Sequence, residues 1–115
     1  MKNLPALLKK AQETFNAWVR RRDKNKPCIS CTIGQPEQAG HYIPVGRSSY
    51  LRFSELNVSG QCVACNCSKY GNPVAYRKEL VKKVGEDAVL KLEQDAYKIK
   101  KWNRDELFNI IENYK

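Results

Sequence analysis

Four cysteines fall into two pairs with the spacing of a metal-binding site. The pairs are Cys28–Cys31 and Cys62–Cys65, and 30 residues separate them. Two CxxC pairs at such a separation are typical of a zinc ion held by four thiolates. A disulfide framework is the alternative, but the chain has 5 cysteines, which suits four ligands and one further thiol, Cys67. We therefore expect a structural Zn²⁺ bound by the paired cysteines.

The only histidine, His41, lies between the two cysteine pairs. A neutral imidazole can take a proton from water, so His41 is a candidate general base. Two other interpretations remain open. His41 could be a structural residue, or it could replace one cysteine as a zinc ligand, although four better-spaced thiolates are available.

Two asparagines follow His41 in the order found in strand–loop–helix nucleases of the HNH type. Such a site needs a histidine that activates water, an asparagine that orients the imidazole, and a residue at the helix start that holds a divalent cation. Asn57 lies five residues before Cys62, and Asn66 directly follows Cys65. Either asparagine could instead cap a turn or a helix. We predict His41, Asn57 and Asn66 as catalytic residues.

Acidic residues are scarce around these positions. Residues 39–78 contain a single acid, Glu55, whereas a two-metal nuclease needs several carboxylates. The sequence therefore predicts a one-metal site in which Asn66, water and a DNA phosphate surround the cation. Many HNH proteins carry an aspartate directly before the histidine. This chain has Gly40 there, so one expected ligand is missing.

The composition favours a polyanionic partner. The 115 residues carry a formal charge of +9, and four thiolates with one Zn²⁺ would lower it to about +7. Nucleic acid is the simplest partner for such a chain. Three tyrosines could stack on unpaired bases or pack within the fold: Tyr42, Tyr50 and Tyr70. Candidate phosphate contacts are Arg47, Arg52, Lys69, Arg77 and Lys78, together with Arg20, Arg21 and Arg22, which could instead be a solvated helix end.

Hydrophobic spacing indicates which elements position these residues. Residues 4–22 have the period of an amphipathic helix with a basic last turn. The segment between the cysteine pairs is rich in turns, with short strands predicted at His41–Val45 and Tyr50–Phe53. Helices are predicted after the second pair at Asn66–Tyr70, 73–84, 86–101 and from Asn103 onward.

Helix-start signals support two of these helices. Asn72 is a candidate N-cap with Pro73 at the first helical position. Asn103 and Glu106 have the spacing of a capping box. The last helix should bury a stripe formed by Leu107, Ile110, Ile111 and Tyr114.

Together these signals predict a small α+β fold with a zinc-stabilised HNH or ββα-metal core, similar to a treble clef. We expect one domain, residues 1–115, made of a basic N-terminal helix (1–26), the zinc-bound core (27–72) and C-terminal helices (73–115). A bound zinc would supply folding free energy on the order of 10 kcal/mol. No stretch approaches the ~20 apolar residues of a membrane span. Residues 1–8 have too short an apolar run for a signal peptide.

From about Lys26 to Tyr114 the chain resembles the lambdoid-phage NinG/Rap recombination nuclease family. The matching strings are CISC (28–31), AGHY (39–42), LRFSELNV (51–58), QCVACN (61–66), GN (71–72), YRKEL (76–80) and the helix 102–114. The resemblance implies a phage- or prophage-encoded endonuclease in the cytoplasm of a bacterial host. Its substrates would be Holliday junctions and D-loops, and its catalytic cation Mg²⁺ or Mn²⁺. Members can carry a histidine where this chain has Ser59, which leaves His41 as the only imidazole base.

Two symmetrical nicks are needed to resolve a junction, which favours a homodimer. The apolar stripes of the terminal helices could form its interface or could close the core of one chain. Two interpretations without catalysis remain: a zinc-containing DNA-binding or adaptor module, and a protein-interaction domain of ring or treble-clef type.

Overall fold

A long N-terminal helix, a two-stranded hairpin and three further helices make up the fold. The computed structural model describes residues 3–115. Residues 1 and 2, which belong to the predicted domain and to the segment 1–8, lie outside this range. The helices are α1 (Leu4–Asp23), α2 (Pro73–Val84), α3 (Glu86–Gln94) and α4 (Arg104–Tyr114), and the strands are β1 (Gln38–His41) and β2 (Val58–Gln61). The predicted small α+β class is confirmed. Its HNH-type core and its division into three parts stay predictions.

Helix α1 forms where the apolar period predicted it. The side chain of Asn3 accepts a hydrogen bond from the Ala6 N–H at 2.9 Å and so caps the first turn. Leu7, Ala11, Phe15 and Val19 recur at three- and four-residue steps and are almost fully buried. This stripe packs on α4 and on the hairpin.

Helix α4 begins with the predicted capping box. Asn103 Oδ1 accepts from the Glu106 N–H at 2.8 Å, and Glu106 accepts from the Asn103 N–H at 3.0 Å. Leu107 is buried, and the ring centroids of Tyr114 and Phe15 are 4.8 Å apart. The stripes of α1 and α4 therefore close the core of one chain, so a homodimer would have to use another surface.

The strands lie elsewhere than predicted. β1 and β2 pair antiparallel, with Gln38 opposite Gln61 and His41 opposite Val58. Residues 42–57 form the loop between them, and Ser49–Leu51 is a short 3₁₀ turn. The predicted strands His41–Val45 and Tyr50–Phe53 are wrong because contacts from distant parts of the chain override the β-propensity of these residues.

Helix α3 is shorter than the predicted 86–101. It ends at Gln94, and the carbonyls beyond it bond to the loop instead of continuing the helix. Ser48 Oγ donates to the Lys98 carbonyl at 2.8 Å, and Ser49 Oγ donates to the Lys100 carbonyl at 3.1 Å. Ile99, which lies within the predicted range, is 81% exposed.

A second apolar cluster joins the hairpin loop to α2 and α3. Tyr76 and Leu80 of α2 pack there against Ile43 and Leu51 of the loop. The short helix predicted at Asn66–Tyr70 is a five-residue helical turn at Ala64–Ser68. None of the helices within residues 3–115 is long and apolar enough to cross a membrane.

Candidate functional site

The four paired cysteines come together at the end of the hairpin. The Sγ atoms of Cys28, Cys31, Cys62 and Cys65 all lie within 4.8 Å of one another, and those of Cys31 and Cys62 are 3.8 Å apart. Sulfur atoms that share a tetrahedral zinc at about 2.3 Å are about 3.8 Å apart. The cluster can therefore hold a zinc ion. The fifth thiol, Cys67, is exposed and lies outside this group.

Backbone and side-chain amides surround the thiols. The Gly34 N–H donates to Cys31 Sγ at 3.3 Å and is the main cause that lowers the pKa of Cys31 to about 6. The pKa of Cys62 rises to about 12 because burial and neighbouring thiols outweigh the hydrogen bond from the Cys65 N–H.

A glycine is required beside the cluster. A Cβ on Gly34 would lie 2.7 Å from the Cβ of Cys62 and 2.9 Å from its Sγ. Any larger residue would push the two cysteine loops apart. The tight turn after Cys31 therefore depends on this glycine.

Asn57 fixes the loop that follows β1. Its side chain is fully buried; Oδ1 accepts from the Ile43 N–H at 2.8 Å, and Nδ2 donates to the Ile43 carbonyl at 3.0 Å. A longer bond, at 3.3 Å, joins Nδ2 to the Leu51 carbonyl. Asn57 therefore holds loop backbone, and any effect on the imidazole of His41 passes through that backbone.

The His41 ring is held by a loop carbonyl. Its Nε2 lies 3.0 Å from the carbonyl oxygen of Arg52. A carbonyl only accepts, so Nε2 must carry the hydrogen in a neutral ring, and Nδ1 keeps the lone pair. Burial lowers the pKa of His41, and the nearby charge of Arg52 lowers it further, against the opposing effect of the carbonyl. The arrangement favours a neutral imidazole with Nδ1 as the basic atom.

Arg52 lies beside this imidazole with no acidic partner among its contacts in residues 3–115. Its Nε donates to Gln12 Oε1 of α1 at 2.9 Å, and its guanidinium lies over the Phe53 ring. Gln12 Nε2 also donates to the Arg52 carbonyl at 3.3 Å. Burial lowers the pKa of Arg52. A neutral base and an uncompensated cation are thus neighbours, an arrangement that suits a phosphodiester.

Asn66 contacts the other end of β1. Its Nδ2 donates to Gln38 Oε1 at 2.7 Å. Along a strand, Gln38 and Gly40 point to one face, whereas Ala39 and His41 point to the other. Gly40 accepts from the Tyr76 hydroxyl of α2, and Ala39 packs on the α1 core. His41 and Asn66 therefore have their contacts on opposite faces and at opposite ends of the strand.

The surroundings of Asn66 fit a catalytic Mg²⁺ poorly. They offer the neutral amide oxygens of Gln38 and Asn66, whereas Mg²⁺ sites in proteins use one or two carboxylates. An aspartate could not replace Gly40 without moving Gln61, because a Cβ there would overlap Gln61 Oε1. The metal-binding role of Asn66 stays a prediction, and we derive no step of the reaction through it.

Two of the arginines predicted to contact DNA form ion pairs with acidic residues of the chain. Arg22 makes two 2.8 Å hydrogen bonds to the buried carboxylate of Asp23. Arg77 pairs with Glu93 at 2.7 Å and with Glu86 at 3.0 Å. Acids compensate these charges in the folded chain, and contact of Arg22 and Arg77 with DNA stays a prediction.

The remaining basic residues differ in their surroundings. Arg20, Arg47, Lys69 and Lys78 are exposed, and Arg52 lies at the His41 loop. Arg21 is exposed but donates to the Tyr114 carbonyl at 3.0 Å. Contact of these residues with DNA stays a prediction.

Two residues of the His41 and Asn66 surroundings were not predicted from sequence. Gln12 forms hydrogen bonds with Arg52, which lies 40 residues later in the sequence. Gln38 accepts a hydrogen bond from Asn66, which lies 28 residues later. No local signal marks either residue, since an isolated glutamine in a helix or strand is ordinary. Only the folded arrangement brings them to these positions.

Fold and cysteine cluster together define a small α+β protein in which a hairpin leads into a four-thiol site that can hold a metal ion. Residues 1–115 match the family model described as "Bacteriophage Lambda NinG protein", and the chain belongs to the NinG family. The predicted membership of the NinG family is confirmed, and the nuclease nature that the resemblance implies stays a prediction.

Curated relatives are all called "Protein ninG". The chain is 44% identical to the one from Escherichia phage lambda over 90 residues, which are 76% of this chain and 44% of the relative. It is 41% identical to the one from Salmonella phage P22 over 109 residues, 93% of this chain and 53% of the relative. The chain thus spans about half the length of the curated relatives it matches. No solved structure matches it.

Proposed function

We propose that the chain is a structure-selective DNA endonuclease that cuts branched recombination intermediates such as Holliday junctions and D-loops. The observation that carries this proposal is the His41 ring, whose Nε2 is bound to the Arg52 carbonyl so that Nδ1 remains basic. Branched DNA as the substrate rests on the resemblance to recombination nucleases, and action in the cytoplasm of the phage host follows from it. The net charge of +9 supports a DNA partner.

The reaction is hydrolysis of one phosphodiester bond. His41 Nδ1 takes a proton from water while the water oxygen forms a bond to phosphorus. The bond from phosphorus to the 3′ oxygen breaks, and that oxygen takes a proton from solvent. The products carry 5′-phosphate and 3′-hydroxyl ends.

Arg52 would stabilise the charge that develops on the phosphate. Its guanidinium donates several hydrogen bonds in a fixed plane, and a phosphate would supply the anion that its present contacts lack. Catalytic Mg²⁺ or Mn²⁺ enters the proposal through the family resemblance alone, and no step of the reaction described here is assigned to it. The four-cysteine cluster, loaded with Zn²⁺, would hold the loop 28–34 against the end of β2 and so fix the hairpin.

Cleavage of a four-way junction and of a matched linear duplex, with Mg²⁺ added or omitted, tests the proposal. We expect nicks in the junction with 5′-phosphate ends, dependence on the cation, and little cutting of the duplex. Zinc content measured in both samples controls for loss of the structural ion. Tight binding of the junction without any nicking would instead indicate a non-catalytic DNA-binding or adaptor module.

A homodimer belongs to this proposal because resolution of a junction needs two symmetrical nicks. We expect two protein chains on each bound junction, measured by sedimentation of the complex. One chain per junction would contradict the dimer and leave the single-nick chemistry unaffected.

A further inference from the structure

One tyrosine differs from all the others. Tyr70 is 91% exposed. Within residues 3–115 the remaining five tyrosines have a ring or hydroxyl partner, whereas the Tyr70 side chain has none. Its φ of 52° lies in the left-handed region, which a bulky residue rarely adopts. An exposed aromatic ring at a strained backbone position suggests a function.

The backbone that carries Tyr70 is anchored to the cysteine cluster. The Gly71 N–H donates to the Cys65 carbonyl at 2.9 Å, and Gln61 Nε2 donates to the Gly71 carbonyl at 2.7 Å. Asn72, predicted as a helix cap, has a φ of 44° and donates from Nδ2 to Cys65 Sγ at 3.4 Å. These hydrogen bonds fix the backbone of the turn, and the Tyr70 ring extends from it into solvent.

The surface next to Tyr70 combines apolar area with positive charge. Lys69 is exposed, and Val74, in the first turn of α2, is 84% exposed. Lys78 and Lys82 follow Val74 at four-residue steps and so lie on the same face of α2. This face lines an open cleft of about 520 Å³ formed by Val74, Arg77, Lys78, Val81, Lys82 and Glu86.

We propose that Tyr70 stacks on a base whose face is open at the branch point of a DNA junction, with Lys69 and Lys78 on the adjoining phosphates. This inference rests on the proposed function, because it assigns the structural selectivity of that activity to one side chain. An aromatic ring stacks on any base whose face is open, whereas the bases of an intact duplex are already stacked on each other. Tyr70 would therefore distinguish a branch from a linear duplex without reading sequence.

Binding to a four-way junction and to a matched linear duplex, at one fixed salt concentration, tests this role. The variants are Tyr70→Ala and Tyr70→Phe, and Tyr97→Ala is the matched control, since Tyr97 is 76% exposed but lies after α3 under the Arg47 guanidinium. We expect Tyr70→Ala to weaken junction binding about 5- to 150-fold, the range for loss of one stacked base. Duplex binding should stay within about twofold, because phosphate contacts dominate it.

A second measurement reports the contact itself. 2-Aminopurine placed at the branch point should change its fluorescence when the unaltered chain or Tyr70→Phe binds, and should not change with Tyr70→Ala. Tyr97→Ala should behave like the unaltered chain in both measurements.

Several results would overturn the inference. They are equal junction affinity for Tyr70→Ala and the unaltered chain, equal losses on junction and duplex, an equal loss in Tyr97→Ala, or no preference of the unaltered chain for the junction. Failure of the proposed nuclease activity would give a different result from failure of the stacking role. A junction that is bound through Tyr70 but never nicked would remove the nuclease and leave the stacking role in place.

Discussion

One contact of the His41 ring decides which of its nitrogens can act as a base. The Arg52 carbonyl occupies Nε2 at 3.0 Å, and Gln12 of α1 holds both that carbonyl and the Arg52 guanidinium. The chemistry assigned to the imidazole therefore depends on a helix far away in sequence. Asn57 contributes by fixing the loop backbone between the strands.

The pH dependence of cleavage follows from the surroundings of His41. Burial and the charge of Arg52 lower the pKa of the imidazole from its ordinary value of 6.5. The active form is neutral, so the single-turnover cleavage rate should rise with pH and level off, with a midpoint below 6.5. A pH–rate profile of a saturated junction complex measures that midpoint. A rate still rising steeply between pH 7 and 9 would assign the base to another group.

At the scale of elements, Asp23 joins the end of α1 to β2. Its carboxylate accepts from Arg22 and, at 2.8 Å, from the Gly60 N–H of β2. Burial alone would raise the pKa of Asp23, but the hydrogen bonds from Arg22 and Gly60 outweigh it and lower the pKa to about 2. The carboxylate therefore stabilises the fold above its unfolded-state pKa of 3.8. This contribution is lost as the pH falls from about 4 towards 2.

Replacing Asp23 should destabilise the chain far more than replacing its exposed partner. Asp23→Asn leaves Arg22 without its carboxylate and should cost about 3 kcal/mol in the free energy of unfolding. Lys26→Ala removes an exposed ammonium 3.7 Å from the same carboxylate and should cost less than about 1 kcal/mol. Urea unfolding at pH 7 measures both. Equal losses, or an acid-unfolding midpoint unchanged in Asp23→Asn, would contradict this role of Asp23.

Elements with local signals could be predicted from sequence, and elements fixed by distant contacts could not. An apolar period identifies α1, Asn72 and Pro73 identify the start of α2, and the Asn103 capping box identifies the start of α4. Each of these signals is contained in one stretch of chain. The loop 42–57 was misassigned because its backbone is held by Asn57 and by serines that bond beyond α3. Cysteine spacing predicted the cluster, whereas the faces on which His41 and Asn66 lie depend on strand register.

At the scale of the whole molecule, the cysteine cluster stands between the hairpin and the C-terminal helices. Cys28 and Cys31 come from the loop before β1, and Cys62 and Cys65 follow β2 directly. The α1–α4 core lies apart from the cluster and consists of apolar side chains. Metal loading should therefore matter most for the hairpin and for the turn that carries Tyr70.

Zinc binding can be tested with a matched pair of cysteine variants. We expect one Zn²⁺ per chain in the unaltered protein and in Cys67→Ser, and less in Cys31→Ser, because Cys31 belongs to the cluster and Cys67 does not. Removal of the ion by a strong chelator should lower the thermal midpoint while leaving part of the helical circular dichroism. Elemental analysis and thermal scans measure these effects. Full zinc content in Cys31→Ser, or a thermal midpoint unaffected by the chelator, would contradict the assignment.

The most direct test of the nuclease is the cleavage rate of His41→Gln on a four-way junction that is already bound. Glutamine can still donate an N–H to the Arg52 carbonyl but cannot take a proton from water, so the variant separates the base from the structural contact. We predict a rate at least about 100-fold below that of the unaltered chain, with junction affinity within about threefold. Cleavage by His41→Gln at the unaltered rate would show that the imidazole is not the base.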